Sequence, residues 1–181
     1  MIRNLSGLAL LTLTIGFLAG CFRAMPVPTT APAVAKAAAP LPDAKPYQLA
    51  EEPVQAQGVL AVRKDAKDGD EVVVVGRIGG SRKPFTGRAS FTIVDPSLKP
   101  CNEKDDDACA TPWDYCCDTP EDLKRATVLV KFVDEGGQTL AADAKVWLGI
   151  KELQTVVVRG KVKRDDQSNL FIVASGLFVR N

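Results

Sequence analysis

The chain has 181 residues, with 23 basic and 22 acidic side chains, a formal net charge of +1 and no histidine. This length suits one domain with a tail. The absence of histidine excludes histidine-based catalytic triads and histidine-ligated zinc or haem sites. The balanced charge argues against the clustered basic face that nucleic-acid-binding domains use.

The first twenty residues have the layout of a bacterial secretory signal peptide. Arg3 is followed by an apolar run over residues 8–19, which leads into Leu18-Ala19-Gly20-Cys21. A short apolar stretch closed by small residues is typical of export signals. It is shorter than the roughly twenty apolar residues that cross a bilayer. The sequence therefore predicts that residues 1–20 are a signal peptide.

The segment that ends at Cys21 resembles the lipobox of bacterial lipoproteins. This resemblance implies that Cys21 is lipidated on its sulfur, becomes the mature N-terminus and tethers the chain to a membrane of the cell envelope. Phe22 follows the cysteine, where some bacteria place an Asp to retain a lipoprotein in the inner membrane. The outer membrane is therefore the mildly preferred location.

The next segment is expected to be a spacer. Residues 22–46 are rich in alanine and proline and show no hydrophobic periodicity, so they cannot build a core. We predict a lipidated cysteine and linker over residues 21–46 and an ordered domain over 47–181. A weak amphipathic helix is predicted within residues 53–66, although Gly58 interrupts it.

Five runs rich in valine, isoleucine and phenylalanine predict strands. They cover Glu71–Ile78, Arg88–Val94, Ala126–Val133, Gln154–Val162 and Leu170–Val179. Residues 139–151 are expected to hold a short helix or turn. Gly76 and Gly160 lie inside strands, where glycine often marks a bulge or a sharp bend.

These runs resemble OB-fold domains of the bacterial type. The resemblance is carried by residues 68–78, 89–95, 156–162 and 170–174. It implies an all-β fold, namely a small five-stranded OB-like barrel with a short N-terminal helix. The long segment 95–123 between the second and third strands departs from a plain OB-fold, so we interpret it as an insertion.

The insertion contains the four cysteines that remain if Cys21 is lipidated. They are Cys101, Cys109, Cys116 and Cys117. An even number of cysteines in an oxidising compartment predicts two disulfides. Because a bond between the neighbours Cys116 and Cys117 is strained, two pairings stay open: 101–116 with 109–117, or 101–117 with 109–116.

Metal binding is the main alternative for these cysteines. Four thiolates can hold zinc tetrahedrally, and soft thiolates also suit copper(I). The spacing C-x7-C-x6-C-C is not that of a zinc ribbon. Thiol redox chemistry is a weaker alternative, since the chain has no C-x-x-C motif and no histidine to stabilise a thiolate.

Two further groups are candidate ligand surfaces. The first consists of Trp113, Asp114 and Tyr115, and the second of Arg77, Arg82, Lys83 and Arg88. Exposed aromatic side chains would suit an envelope protein or glycan, and the basic group would suit phosphates or anionic headgroups. The plainer interpretation is that the aromatic side chains cover the cysteines and that the basic side chains are solvated.

The combined prediction is a membrane-anchored, extracytoplasmic binding or structural module of the bacterial envelope. We do not expect an enzyme, because serine-nucleophile and phosphate-loop motifs are also lacking. The TPWDYCC segment is similar to one in small bacterial lipoproteins of unassigned activity. The alternatives are an envelope metal-binding protein that uses the four cysteines and, less favoured, a nucleic-acid-binding OB domain; no nucleic-acid partner is expected.

Overall fold

A computed structural model describes residues 42–105, 109–167 and 169–180. The chain divides into two units, Met1–Ala38 and Ala39–Asn181, and the described residues all belong to the second. The predicted signal peptide, Cys21 and most of the predicted linker lie outside them. None of the helices in the described ranges has the length and apolarity that crossing a bilayer requires.

The described residues form six strands and three α-helices. The strands are β1 (Gln57–Gly58), β2 (Glu71–Ile78), β3 (Ser90–Val94), β4 (Thr127–Lys131), β5 (Thr155–Arg164) and β6 (Leu170–Val179). The helices are α1 (Val59–Asp65), α2 (Pro120–Ala126) and α3 (Ala144–Trp147). Single 3-10 turns cover Lys45–Tyr47, Cys101–Glu103 and Pro112–Asp114.

Five of the strands close into a barrel. β2 pairs antiparallel with both β3 and β5, β3 pairs antiparallel with β4, β4 runs parallel to β6, and β6 pairs antiparallel with β5. The two-residue β1 is an additional parallel partner of β2. The predicted class, a small OB-like barrel of five strands with a short N-terminal helix, is confirmed.

The barrel core consists of the inward-facing side chains of the strands, capped by α1. Phe91 and Ile93, which lie two residues apart in β3 and so point to the same face, are fully buried, as is Phe132, which follows β4. At one end, Tyr47 packs against Phe132 and Trp147, with ring centroids 5.3 and 5.1 Å away. The indole of Trp147 donates a hydrogen bond to the Pro42 carbonyl at 2.8 Å, so the packed chain begins at least as early as Pro42.

The start of the insertion is joined to α1 by a carboxylate. Asp95 is buried and accepts hydrogen bonds from the backbone N–H groups of Leu60 and Ser97, both at 2.9 Å. A Cβ at Gly58 would lie 2.5 Å from Asp95 Oδ2. Gly58 therefore ends the extended chain and lets this carboxylate cap the first turn of α1, where N–H groups lack helical partners.

The prediction for the third strand was wrong at its beginning. Ala126 is the last residue of α2 rather than the first of a strand. Thr119 begins this helix, since its hydroxyl accepts a hydrogen bond from the Asp122 N–H at 3.1 Å, and Pro120 occupies the first turn. Both are ordinary start signals for a helix, and they show that the insertion is not wholly irregular.

The two strand glycines serve different purposes. At Gly160 the register between β5 and β6 shifts, which is the predicted bulge. At Gly76 the pairing of β2 with β5 continues without a shift, so no bulge occurs there. Gly76 is needed because a Cβ would approach the side chain of Ile93 to 2.9 Å.

Substituting Gly160 by alanine is expected to destabilise the barrel by about 1–3 kcal/mol, the usual cost of forcing an atom into packed surroundings. The new Cβ would lie 2.4 Å from the Val173 carbonyl oxygen, a backbone atom that cannot move alone. Gly176→Ala in β6 is the matched control, because its Cβ would meet only the end of the flexible Leu49 side chain, at 2.8 Å. Urea unfolding measures both variants, and equal losses would contradict this assignment.

Candidate metal centre

The structure brings the four cysteines of the insertion together. Their sulfur atoms all lie within 4.8 Å of one another. Cys116 is central, with its Sγ 2.9 Å from that of Cys109, 3.7 Å from that of Cys101 and 4.0 Å from that of Cys117. Among the described residues no disulfide links any of them.

Two of these distances suit sulfur ligands of one ion. With zinc–sulfur bonds of about 2.3 Å, the edge of a tetrahedron of sulfurs is about 3.8 Å. The separations of Cys116 from Cys101 and Cys117 lie close to that edge. Multinuclear iron–sulfur clusters distribute their cysteines over different metal ions, which needs more space than this group of sulfurs provides.

A tight turn positions two of the four ligands. Tyr115 adopts the left-handed conformation, with φ of 57°, and its carbonyl accepts a hydrogen bond from the Asp118 N–H at 3.0 Å. Cys116 and Cys117 are the two middle residues of this turn and are exposed, whereas Cys101 is buried beneath them. The cluster therefore has one buried side and one side open to solvent.

Tyr115 anchors the turn and does not belong to an exposed ligand surface. Its ring is completely buried against Val94 and Ala126. Its hydroxyl is also buried and finds no hydrogen-bond partner in the described part of the chain. Burial raises the pKa of Tyr115 to about 12, although the positive charge of Arg77 acts in the opposite direction.

Asp114 is the second buried anchor of the turn. Its carboxylate accepts hydrogen bonds from the Thr111 hydroxyl at 2.7 Å and the Cys116 backbone N–H at 3.0 Å, and Arg82 Nε lies 3.7 Å away. Burial acts to raise the pKa of Asp114, but these hydrogen bonds and Arg82 outweigh it, so the pKa lies below its usual value. Asp114 is thus occupied in holding the turn.

The variant Asp114→Asn is expected to be less stable at pH 7 by about 1–3 kcal/mol, since hydrogen bonds to a charged acceptor are lost. The pKa of Asp114 is lower in the folded chain than in the unfolded chain. The stability that the ionised Asp114 gives is therefore fully present above its pKa in the unfolded chain, which is about 4. It is lost as the pH falls through the lower pKa of Asp114 in the folded chain. Urea unfolding at several pH values should show the difference from the parent chain shrinking in acid, and a difference that is independent of pH would contradict this role.

The predicted basic group does not converge on one anion site. Arg77 forms an ion pair with Glu103 at 2.6 Å, Arg82 lies beside Asp114, and Arg88 donates a hydrogen bond to the Thr139 carbonyl. Lys83 is exposed. Two of these side chains thus contact the cysteine insertion, and the hairpin that carries Arg82 also accepts a hydrogen bond from the half-buried Trp113 indole at 3.3 Å.

One cation beside the sulfur cluster, Lys104, was not predicted from the sequence. Lys104 forms an ion pair with Asp118 at 2.9 Å. This hydrogen bond is the main cause of the raised pKa of Lys104, and the charges of Asp118, Cys117 and Cys101 add to it. Lys104 lies in a run of charged residues that looks like a solvated turn, so only its position three residues after Cys101 could have indicated it.

The central thiol is not stabilised as a thiolate by its protein surroundings. Contact with Cys109 acts to lower the pKa of Cys116, but contact with Cys101, burial and Asp114 together leave it raised. A bound cation favours the deprotonated form of a cysteine. A metal ion held by this cluster would therefore act against the raised pKa of Cys116.

The fold and this cluster define the chain as a small OB-like barrel with a cysteine centre in the loop between β3 and β4. No protein-family model matches the chain, and no curated protein matches it in sequence. A solved structure described as "OBody AM1L10 bound to hen egg-white lysozyme" is similar over 74% of this chain and 98% of that chain, with 15% identity and a TM-score of 0.42. A likeness at that level adds nothing to the assignment of a function.

Proposed function

We propose that this chain is a lipid-anchored protein of the bacterial envelope in which an OB-like barrel holds one soft metal ion. Its ligands are the four cysteines of the insertion, and zinc is the expected ion. The single observation that supports this most is the convergence of all four sulfurs within 4.8 Å. Lipid attachment at Cys21 rests on the lipobox resemblance alone.

Zinc is preferred to copper(I) on the number and spacing of the ligands. Zinc in closed structural sites takes four ligands in a tetrahedron. Copper(I) shares the affinity for soft thiolates, so the identity of the ion is part of the test. An ion here would have a structural role, because all four positions around it are taken by protein sulfurs.

The insertion has a clear need for such an ion. Among the described residues, the buried apolar cluster that the insertion forms with β3 consists of Val94, Tyr115 and Ala126, with Leu98 and Leu123 packed at the edge. A segment that buries so little apolar surface gains stability from a metal or from cross-links. With the ion in place, the insertion would be a rigid surface at the end of the barrel, available to an envelope protein or a glycan.

The test uses the full chain exported by a bacterial host and purified in mild detergent under reducing conditions. We expect elemental analysis to find one zinc ion per chain and the chain to fractionate with membranes. Cys21→Ser is the matched control, since it should lose the lipid, which labelling with a tagged fatty acid detects, and leave the metal content unchanged. A chain without metal would contradict the metal centre, and a Cys21→Ser chain labelled as strongly as the parent would contradict the anchor.

A disulfide-stapled insertion is the second candidate, and one distance favours it. The Cys109 and Cys116 sulfurs are 2.9 Å apart, well short of the tetrahedral edge of about 3.8 Å that four zinc ligands would share. The same elemental analysis separates the two candidates, because a permanently oxidised insertion would contain no metal.

A further inference from the structure

The four sulfurs are not equivalent in spacing or in access. Cys109 and Cys116 form the closest contact of Cys116, at 2.9 Å, compared with 3.7 Å to Cys101. Cys116 is exposed and Cys109 is partly exposed, whereas Cys101 is completely buried. The nearest of the three sulfurs to Cys116 thus belongs to a partly exposed residue; Cys117 is also exposed, and Cys101 is the buried member of the cluster.

The other possible partner of Cys116 is poorly suited to bond formation. Cys117 is its neighbour in sequence, and a disulfide between neighbours is strained. A bond between Cys109 and Cys116 closes a short loop and needs the two sulfurs to approach by only about 0.9 Å to reach bonding distance. Geometry and access therefore select the same pair.

We propose that the cysteine centre is a thiol–disulfide switch that releases its metal ion when a disulfide forms between Cys109 and Cys116. The proposal rests on the proposed metal centre and adds its regulation. The reactant is a disulfide, of a protein or a small thiol, of the kind that an oxidising compartment supplies. Loss of two of four thiolate ligands leaves Cys101 and Cys117, too few to close a zinc site.

The exchange proceeds in two displacement steps. The exposed Cys116 thiolate attacks one sulfur of the external disulfide, forming a mixed disulfide and expelling one thiolate. The Cys109 thiolate then attacks the Cys116 sulfur, forming the Cys109–Cys116 bond and expelling the second thiolate. Two electrons pass from the two cysteine sulfurs to the external disulfide, both expelled thiolates take protons from water, and the ion leaves as a dication.

Because the Cys109–Cys116 bond forms first, one of the two disulfide pairings that the sequence left open is selected. Once Cys109 and Cys116 are joined, the remaining pair is Cys101 with Cys117, whose sulfurs lie within 4.8 Å. Burial of Cys101 delays this second bond. Full oxidation therefore yields 109–116 with 101–117, and the first of these bonds forms before the second.

The experiment treats the zinc-loaded full chain with oxidised glutathione and stops the reaction with acid and an alkylating reagent at successive times. A chromogenic chelator follows zinc release. Trypsin cleavage after Arg88, Lys104 and Lys124 places Cys101 in residues 89–104 and the other three cysteines in residues 105–124. A first disulfide between Cys109 and Cys116 is therefore internal to one peptide, whereas any bond to Cys101 joins two peptides.

We expect one zinc ion to be released for each internal disulfide formed, while the peptide with Cys101 is still alkylated. Tandem mass spectrometry then distinguishes a bond to Cys116 from one to Cys117. As matched variants in the metal-free state, Cys109→Ser should slow formation of the first disulfide at least about tenfold, because the resolving thiol is gone, and Cys21→Ser, which lies outside the cluster, should leave its rate unchanged.

The outcomes separate the two proposals. If the chain binds zinc but its first disulfide joins the two peptides, or if zinc is retained after oxidation, the switch is wrong and the metal centre stands. If the reduced chain binds no zinc at all, both the switch and the metal centre are wrong.

Discussion

Replacing Cys116 by serine is expected to weaken zinc binding at least about a hundredfold, since even changes in the surroundings of metal ligands cost ten- to a hundredfold. The Cys116 sulfur lies 2.9, 3.7 and 4.0 Å from the other three sulfurs. A serine oxygen is a harder metal ligand than a thiolate and forms shorter bonds to zinc. Competition with a fluorescent zinc chelator under reducing conditions measures the affinity.

The control for this variant is Cys21→Ser, which removes the fifth cysteine of the sequence, a residue that is not in the cluster, and should bind zinc as the parent chain does. The circular dichroism of the Cys116→Ser chain should retain the signal of the barrel strands, because the cysteine lies in the insertion rather than in a strand. A Cys116→Ser chain that binds zinc with the parent affinity would contradict the four-sulfur centre.

Replacing Tyr115 by alanine is expected to cost about 3–5 kcal/mol, the range for deleting a large buried aromatic side chain. Its ring fills the small cluster that joins the insertion to Val94 and Ala126. Since Tyr115 also sets the turn that presents Cys116 and Cys117, the same substitution should weaken zinc binding. Urea unfolding measures the stability, and the chelator competition measures the zinc affinity.

Tyr115→Phe is the matched control and should be neutral or slightly stabilising. The buried hydroxyl has no hydrogen-bond partner in the described part of the chain. Removing it therefore leaves no other group unsatisfied and removes the free energy that desolvating the hydroxyl costs. If Tyr115→Phe were as damaging as Tyr115→Ala, the hydroxyl rather than the ring would be the important part, and the packing role would be contradicted.

The barrel could be predicted from the sequence because its signals are local. β2 and β6 are rich in β-branched and aromatic side chains and follow turn residues, and the predicted bounds of both were confirmed. β1 has only two residues, too few for any periodicity. α2 was missed although Thr119 and Pro120 signal a helix start, because the cysteine-rich surroundings suggested an irregular loop.

The site could be predicted only in part. Four cysteines in one insertion indicated that they would meet, and the structure brings them together. The role of Tyr115 depends on burial against β3 and α2, and the separate partners of Arg77, Arg82 and Arg88 depend on contacts between distant segments. Such contacts leave no periodic pattern in a single sequence. The sequence therefore could not show that these residues do not form an exposed ligand surface.

The most direct test of the metal centre compares the native and denatured masses of the full chain, purified from an exporting host. The account predicts a native mass that includes one zinc ion and a denatured mass in which all four insertion cysteines carry their hydrogens. The chain is kept reduced throughout, because the proposed switch itself ends in two disulfides and a lost ion. A native spectrum of this reduced chain without a zinc adduct would contradict the account.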